Sequence, residues 1–250
     1  MNVLIVYAHP EPSSFTAAMK EAAVDALSAA GHRVEVSDLY GEGFNPVAGR
    51  HDFIGAADPA RFHYQSEQLH AGRTDGFAAD LVREQERLMR ADLLVFVFPL
   101  WWGGLPAIVK GWFDRVCAYG VAYADGRRFE RGYFVGRRAV LGLTTGGTTE
   151  RFSAGGSYGE MRHVLHSVRR CILEYLGLEV VEPFVAYAAP RVEPRRAPNT
   201  CAAGRSASSR PPATGNGGNA CAHSPLLPWR TGGRSRRRPG RRDVRSKWKR

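Results

Sequence analysis

The most constraining feature of this chain is the unbroken apolar run Leu93-Leu94-Val95-Phe96-Val97-Phe98. Six apolar residues without alternation are typical of a parallel strand buried on both faces. A loop bearing two tryptophans and two glycines, residues 99–106, follows, and then a helical pattern begins at Ala107. In open α/β sheets, ligands bind at loops that follow the carboxyl ends of strands. The run therefore predicts both a fold class and a ligand site.

The rest of residues 1–190 repeats this alternation of strands and helices. The pattern predicts strands at 3–7, 32–39, 93–98, 138–143 and 179–183, and helices at 15–29, 77–90, from 106 and at 158–176. In the first helix the apolar positions Ala18, Ala22, Leu27 and Ala30 recur at helical spacing. We expect a doubly wound α/β domain with five parallel strands and helices on both faces.

Two stretches do not fit this alternation. Residues 40–76 show little periodicity and read as an unusually long loop, which suggests a functional role. Residues 118–136 are rich in glycine and tyrosine and look like an excursion, for which a hairpin is one interpretation.

The charge divides the chain at residue 190. The whole chain has 35 basic and 24 acidic residues. Residues 191–250 hold 16 of the basic and 2 of the acidic ones, which leaves 19 basic and 22 acidic residues in 1–190, a net charge of −3. In the tail, Arg, Pro, Gly, Ala and Ser make up 41 of 60 residues, and Val, Ile, Leu and Phe total four. Such a composition predicts disorder. It indicates either an out-of-frame reading of a GC-rich gene or a basic arm that binds nucleic acid or an anionic membrane.

Several function classes find no support in the sequence. No run approaches the roughly 20 apolar residues of a membrane helix. Four cysteines without metal-like spacing favour a reducing cytoplasm and predict no metal site. The fingerprint Gly-x-Gly-x-x-Gly and the Walker A pattern are absent, and no Ser/His/Asp or Cys/His arrangement is evident. A chain without a protein nucleophile fits chemistry supplied by a cofactor.

Three loops follow predicted strands and should meet at one edge of the sheet, at residues 8–16, 99–106 and 144–149. The first ends at a helix N-terminus, where free amides favour phosphate, and Ser13 or Ser14 can cap that helix. Trp101 and Trp102 could be core or interface aromatics, but a glycine-rich loop at the ligand edge favours stacking on a flat ring. Together the loops suit a flavin.

Three segments carry a family resemblance: Tyr-Ala-His-Pro-Glu-Pro-Ser-Ser-Phe (7–15), Phe-Pro-Leu-Trp-Trp-Gly-Gly-Leu-Pro-Ala-Ile-Val-Lys-Gly-Trp-Phe-Asp-Arg-Val (98–116) and Leu-Thr-Thr-Gly-Gly (143–147). They resemble the flavodoxin-like NAD(P)H:quinone reductase family over roughly residues 1–190. The resemblance implies FAD, with FMN as an alternative, NADH or NADPH as co-substrate, hydride transfer to a quinone or similar acceptor, and a homodimer with its site at the subunit interface.

The resemblance also assigns residues to the flavin site by matched position. The phosphate and ribityl part would contact His9, Ser14, Phe15 and Thr16. The isoalloxazine would lie against Pro99, Leu100, Trp101, Trp102 and Gly103, and its pyrimidine edge against Thr144, Thr145, Gly146 and Gly147.

Two departures from the family pattern leave alternatives open. Animal members place a tyrosine and a histidine after the third loop, where this chain has Phe152 and Tyr158. Since phenylalanine has no proton to donate, a proton relay would rest on Tyr158 or on water. The tail replaces an amphipathic C-terminal helix. Rival functions are a flavin-binding regulatory subunit of a potassium-efflux system and a nucleic-acid-associated protein with a basic tail.

Overall fold

The computed structural model describes residues 1–189, and the basic tail predicted to be disordered lies outside them. The strands are β1 Asn2–Tyr7, β2 Arg33–Asp38, β3 Leu93–Pro99, β4 Arg138–Thr144, β5 Glu179–Val180 and β6 Phe184–Ala186. The helices are α1 Phe15–Ala29, α2 Tyr64–Thr74, α3 Ala79–Arg90, α4 Ala107–Val116, α5 Met161–Val164 and α6 His166–Val168. Short 3₁₀ turns lie at Arg50–Asp52, Phe129–Arg131 and Thr149–Phe152, and a π-helical segment spans Arg169–Glu174.

All the strands pair in parallel, in the order β2-β1-β3-β4-β5. β6 pairs with β4 further along, so two short strands fill the fifth position in place of the predicted strand at 179–183. Pro183 lies between them, and a proline cannot donate a hydrogen bond to a neighbouring strand. The predicted α/β doubly wound class is confirmed.

Alternate side chains of the central strands lie in two hydrophobic cores, one on each face of the sheet, as expected from the two-residue repeat of a strand. Val3, Ile5 and Tyr7 of β1 pack with α1 on one face, and Leu4 and Val6 belong to the larger core that α3 and α4 cover. Helices therefore lie on both faces. β3 is buried along its whole length, which explains its lack of alternation.

The buried face of α1 only partly coincides with the helical spacing of its apolar residues. α1 buries Thr16, Ala17, Ala23 and Leu27, while Ala18, Ala22 and Ala30 are exposed. In an alanine-rich helix the small side chains mark no face clearly. Gly31 ends the helix with a φ of +77°, as expected for a left-handed residue after a C-terminus.

The long loop predicted at 40–76 is wrong in part, because it contains α2. The buried side chains of α2 are Glu67, Gln68 and Ala71, so a polar inward face hid the helix from a search for apolar periodicity. The segment 118–136 forms turns and one 3₁₀ turn instead of a hairpin of strands. The helix predicted at 158–176 is also wrong in part, since it starts at Met161 and widens into the π-helical segment.

A buried ion pair fixes the segment before α2 to α4. Arg115 on α4 is 1% exposed and lies 2.8 Å from the fully buried Asp52. Tyr64 donates to the same carboxylate, and Arg115 also donates to the carbonyl of Asn45. At Gly111 any side chain would collide with Pro46, since a Cβ would lie 2.2 Å from its carbonyl oxygen. The segment is therefore clamped directly against α4.

Candidate functional site

Hydrogen bonds between neighbouring segments bring the three predicted loops together. The Leu100 amide donates to the Thr144 carbonyl over 2.8 Å, which joins the second loop to the third. The hydroxyls of Thr16 and Thr144 lie 2.9 Å apart in a buried contact, which joins the first turn of α1 to the end of β4. Because β1, β3 and β4 are adjacent and parallel, their carboxyl ends meet at one edge of the sheet.

The first loop presents hydrogen-bond donors. His9 Nδ1 lies 3.0 Å from the amide nitrogen and 3.2 Å from the carbonyl oxygen of Glu11, so the Glu11 backbone holds the imidazole ring in place. Ser14 is the N-cap of α1, and its Oγ accepts from the Ala17 amide over 3.1 Å. The amides of Phe15 and Thr16 have no carbonyl partner inside the helix. Free amides at a helix N-terminus suit an anion.

Glu11 stiffens this loop. Its Oε1 accepts from both the amide and the hydroxyl of Ser13, at 2.9 and 2.6 Å. These two hydrogen bonds lower the pKa of Glu11 below its ordinary value. The bond from the Ser13 hydroxyl lowers it more than the bond from the Ser13 amide. Ser13 is thus committed to Glu11, which leaves Ser14 as the cap of α1.

The second loop turns back on itself at its two tryptophans. Trp101 and Gly104 exchange two backbone hydrogen bonds, and the residues between them, Trp102 and Gly103, have φ values of +51° and +69°. Two consecutive residues of positive φ are typical of a tight hairpin turn, which normally takes asparagine and glycine. A tryptophan at the first position is strained, by about 1–2 kcal/mol.

Neither tryptophan is a core aromatic. The side chain of Trp102 is fully exposed and that of Trp101 is 41% exposed, whereas Pro99 is buried at the end of β3. Leu100 is partly buried against the larger core. The strained turn therefore presents two flat apolar surfaces at the rim of the site, where a strained conformation often serves function.

The third loop is fixed from the side of β6. The Thr145 amide donates to the Ala186 carbonyl, and the Ala189 amide donates to the Thr145 carbonyl, each over 3.0 Å. The Gly147 amide donates to Thr145 Oγ1 over 3.1 Å. Thr144 and Thr145 are both buried, while Gly146 is exposed, with open space where a Cβ would stand.

Gly147 is the glycine that this site requires for steric reasons. A Cβ at Gly147 would lie 2.6 Å from the ring of Phe152, so no other residue fits without moving that ring. Gly103, Gly104 and Gly146 have open space at the same position. The close approach at Gly147 thus serves packing within the protein.

Tyr158 lies beside the third loop and packs against the ring of Phe152. The rings of Phe152 and Tyr158 have centroids 4.9 Å apart, and Phe152 is buried while Tyr158 is 54% exposed. The Tyr158 amide donates to the Arg151 carbonyl over 3.0 Å. Phe152 thus supports Tyr158 from below and leaves its ring open to a ligand or to solvent.

A groove beside the second loop escaped the sequence analysis. It has a volume of about 770 Å³ and runs from Gly104 and Leu105 along α4, with Lys110 and Asp114 paired at 2.6 Å on one wall. Gln65 of α2 also lines the groove, and a smaller cavity of about 460 Å³ shares Tyr123 and Tyr175 with it. The groove could not be found without knowing that α2 exists.

The described part of the chain offers neither a metal site nor a membrane-spanning helix. Among residues 1–189, no group of three or more His, Cys, Asp or Glu side chains could hold a metal ion. Within the same range, no helix is long and apolar enough to cross a membrane.

Comparison with known proteins identifies the family. Residues 1–208 match the family model Flavodoxin_2, described as a flavodoxin-like fold. This chain belongs to that family. The match extends 18 residues beyond the predicted domain boundary at residue 190, into the segment outside the described residues.

Curated relatives and solved structures agree with this assignment. The chain is 43% identical over 187 residues to NAD(P)H dehydrogenase [quinone] 1 of Cavia porcellus, covering 74% of this chain and 68% of the relative. It is 42% identical over 188 residues to ribosyldihydronicotinamide dehydrogenase [quinone] of Pongo abelii, covering 75% of this chain and 81% of the relative. A putative quinone reductase from Klebsiella pneumoniae superposes with a TM-score of 0.73 at 40% identity. The superposition covers 77% of this chain and 78% of the Klebsiella chain. The resemblance stated from the sequence motifs is confirmed.

Proposed function

We propose that this protein is a flavin-dependent oxidoreductase that reduces quinones or similar flat acceptors with NAD(P)H. The observation that carries the proposal is the direct bonding of three loops at the carboxyl ends of β1, β3 and β4. Relatives at 40–43% identity bear names of NAD(P)H and ribosyldihydronicotinamide dehydrogenases (quinone), which supports the same reaction. The balanced reaction takes one NAD(P)H, one proton and one quinone to NAD(P)⁺ and a hydroquinone.

The donor set of the first loop fits the phosphate part of a flavin nucleotide. The amides of Phe15 and Thr16 would donate to the phosphate, His9 belongs to the same loop, and the N-terminus of α1 favours negative charge there. Ser14 adds a hydroxyl at the cap. FAD is favoured over FMN by the family resemblance, and the mass of the released cofactor distinguishes them.

The second and third loops would hold the ring. Pro99, Leu100 and the exposed tryptophans Trp101 and Trp102 offer apolar surface, and Gly103 offers backbone without a side chain. The third loop, Thr144, Thr145, Gly146 and Gly147, would hold the polar edge of the ring. The amides of Thr145 and Gly147 already donate within the protein, so the Gly146 amide and the threonine hydroxyls would make this contact. A bound flavin supplies the hydride chemistry, and the protein orients the reactants and excludes water.

Tyr158 is the candidate catalytic side chain. Hydride transfer to a quinone produces an oxyanion that must take up a proton, and Phe152 has none to give. The Tyr158 hydroxyl can donate to that oxygen from its exposed position above Phe152. Water reaches the same rim and is the alternative donor.

A homodimer belongs to this proposal. The apolar rim of Trp101 and Trp102, together with the groove along α4, leaves the site open on one side. A second copy would cover that side and would give the segments 40–76 and 118–136 a role as interface. Sedimentation equilibrium on the full chain is expected to give twice the mass of 27.5 kDa. A monomer at micromolar concentration would contradict this part of the proposal.

The cytoplasmic location predicted from the cysteine content is also part of the proposal.

The decisive experiment is the visible spectrum of the purified full chain, followed by its steady-state kinetics. We expect the absorption bands of an oxidised flavin, a released cofactor of the mass of FAD, and oxidation of NADH or NADPH that depends on menadione. Parallel double-reciprocal lines would indicate a ping-pong cycle. A colourless protein that gains neither colour nor activity from added FAD would refute the proposal.

A further inference from the structure

The last residue of β1 carries a buried hydroxyl without a partner. Tyr7 is 2% exposed, and its Oη makes no hydrogen bond within the described structure. A buried hydroxyl without a partner costs free energy, so such a group in a folded protein calls for an explanation. Its ring is held from one side by Lys20, whose Nζ lies 4.9 Å from the ring centroid.

The ring of Tyr7 packs against α1. Tyr7 packs in the same core cluster as Ala17, and Ala17 is the residue whose amide donates to Ser14 Oγ. Positions 14 and 17 of a helix lie on one face, one turn apart, and Lys20 continues that stripe. Burial raises the pKa of Tyr7, and the nearby Ser14 side chain acts in the opposite direction. Ser14 is therefore a polar neighbour of this hydroxyl, together with the charged groups of Asp38, Lys20 and Glu21.

We infer that Tyr7 is a positioning residue that acts through Ser14 on the phosphate end of the flavin site. Ser14 Oγ has two lone pairs and one hydrogen, and the Ala17 amide uses one lone pair. If the Tyr7 hydroxyl donates to the second, the hydrogen of Ser14 must point outward, to an acceptor outside the helix. Phosphate oxygens only accept. Binding thus completes the chain Tyr7 O–H to Ser14 O–H to phosphate, in which each hydrogen bond strengthens the next.

This inference rests on the proposed function and makes a prediction opposite to that of a purely structural role. In the free protein the Tyr7 hydroxyl contributes no hydrogen bond, so Tyr7→Phe should leave the melting temperature of the apoprotein unchanged or raise it. The same substitution should weaken flavins that carry a phosphate. A loss of affinity without a loss of stability separates positioning from packing.

The test compares FMN with riboflavin, which lacks the phosphate. Apoprotein of the full chain is titrated with each, and the dissociation constant is measured by quenching of flavin fluorescence. We expect Tyr7→Phe to weaken FMN about fivefold, as for one neutral hydrogen bond, and to leave riboflavin unchanged. Tyr40→Phe, the same chemical change at a tyrosine that is 37% exposed, is the matched control. Ser14→Ala should weaken FMN too, and Tyr7→Phe should have no further effect in its background.

The outcomes are distinct. Equal affinity of Tyr7→Phe and wild type for FMN would overturn the inference, as would an equal loss for FMN and riboflavin. Full additivity of Tyr7→Phe and Ser14→Ala would also overturn it, because the two hydroxyls would then act separately. If the wild-type apoprotein binds neither flavin, the proposed function fails first and the inference falls with it.

Discussion

The hydroxyl oxygens of Thr16 and Thr144 lie 2.9 Å apart and join the first turn of α1 to the end of β4. Both side chains are buried, and 128 residues separate them in sequence. Two of the three loops of the candidate site therefore share one hydrogen bond. Their relative position depends on it.

Replacing either threonine should destabilise the protein and loosen the site. Thr16→Val leaves the Thr144 hydroxyl buried without this partner, at a cost of about 1–3 kcal/mol in the free energy of unfolding. The double substitution to valine should cost less than the sum of the two single ones, because it leaves no orphaned group. Urea denaturation measures all three, with Thr148→Val as the control at a partly exposed position. Additive effects would show that the two hydroxyls do not interact.

Trp102→Gly should stabilise the fold while it harms the site. A glycine adopts the φ of +51° without strain, which should raise the free energy of unfolding by about 1 kcal/mol. The lost ring was fully exposed, so no core contact is lost. Retention of flavin through gel filtration should decrease, and more so when Trp101→Ala is added. Unchanged retention in the double variant would show that the tryptophans do not contact the cofactor.

Breaking the Arg115–Asp52 pair should be far more costly than a surface substitution. Arg115→Met leaves a fully buried carboxylate without its cation, which typically costs 3–5 kcal/mol. The partner substitution Asp52→Asn, combined with Arg115→Met, should recover part of this loss. Lys110→Met, which breaks an exposed pair on the same helix, should cost under about 1 kcal/mol. Guanidinium unfolding of the four proteins tests this ranking.

The two cysteines of the described chain should differ in reactivity. Burial raises the pKa of the Cys117 thiol well above its ordinary value, with the charge of Asp114 adding to the effect. The reactive thiolate is therefore scarce at neutral and mildly alkaline pH. Exposed Cys171 should react with iodoacetamide first, and Cys117 only when the protein unfolds. Mass spectrometry of a Cys201→Ser/Cys221→Ser background measures this, and rapid native labelling of Cys117 would contradict it.

Tyr158→Phe tests proton donation at the rim. The rate of quinone reduction by the reduced enzyme should decrease about tenfold, below the 10²-fold typical of general acids, because water reaches this exposed position. Reduction of the enzyme by NAD(P)H should be unaffected. Stopped-flow measurement of the two half-reactions separates them. An unchanged oxidative half-reaction would assign the proton to water alone.

The sequence predicted what depends on apolar pattern and on chain order. β3 was found because all its residues are buried, and the meeting of three loops followed from the parallel order of the strands. α2 was missed because Glu67 and Gln68 face inward, which no hydropathy pattern reveals. The close contact between the Phe152 ring and Gly147 depends on how the side chains pack beside the third loop. The sequence alone does not determine that packing.

The pairing of β6 with β4 has a consequence for synthesis of the chain. The third loop is held by the carbonyl group of Ala186 and the amide group of Ala189, which is the last described residue. These bonds cannot form until residue 189 has left the ribosome, although the other two loops and most of the sheet are then already made. The ligand site should therefore be completed last. Nascent chains released before that point would carry two of its walls and lack the fixed third.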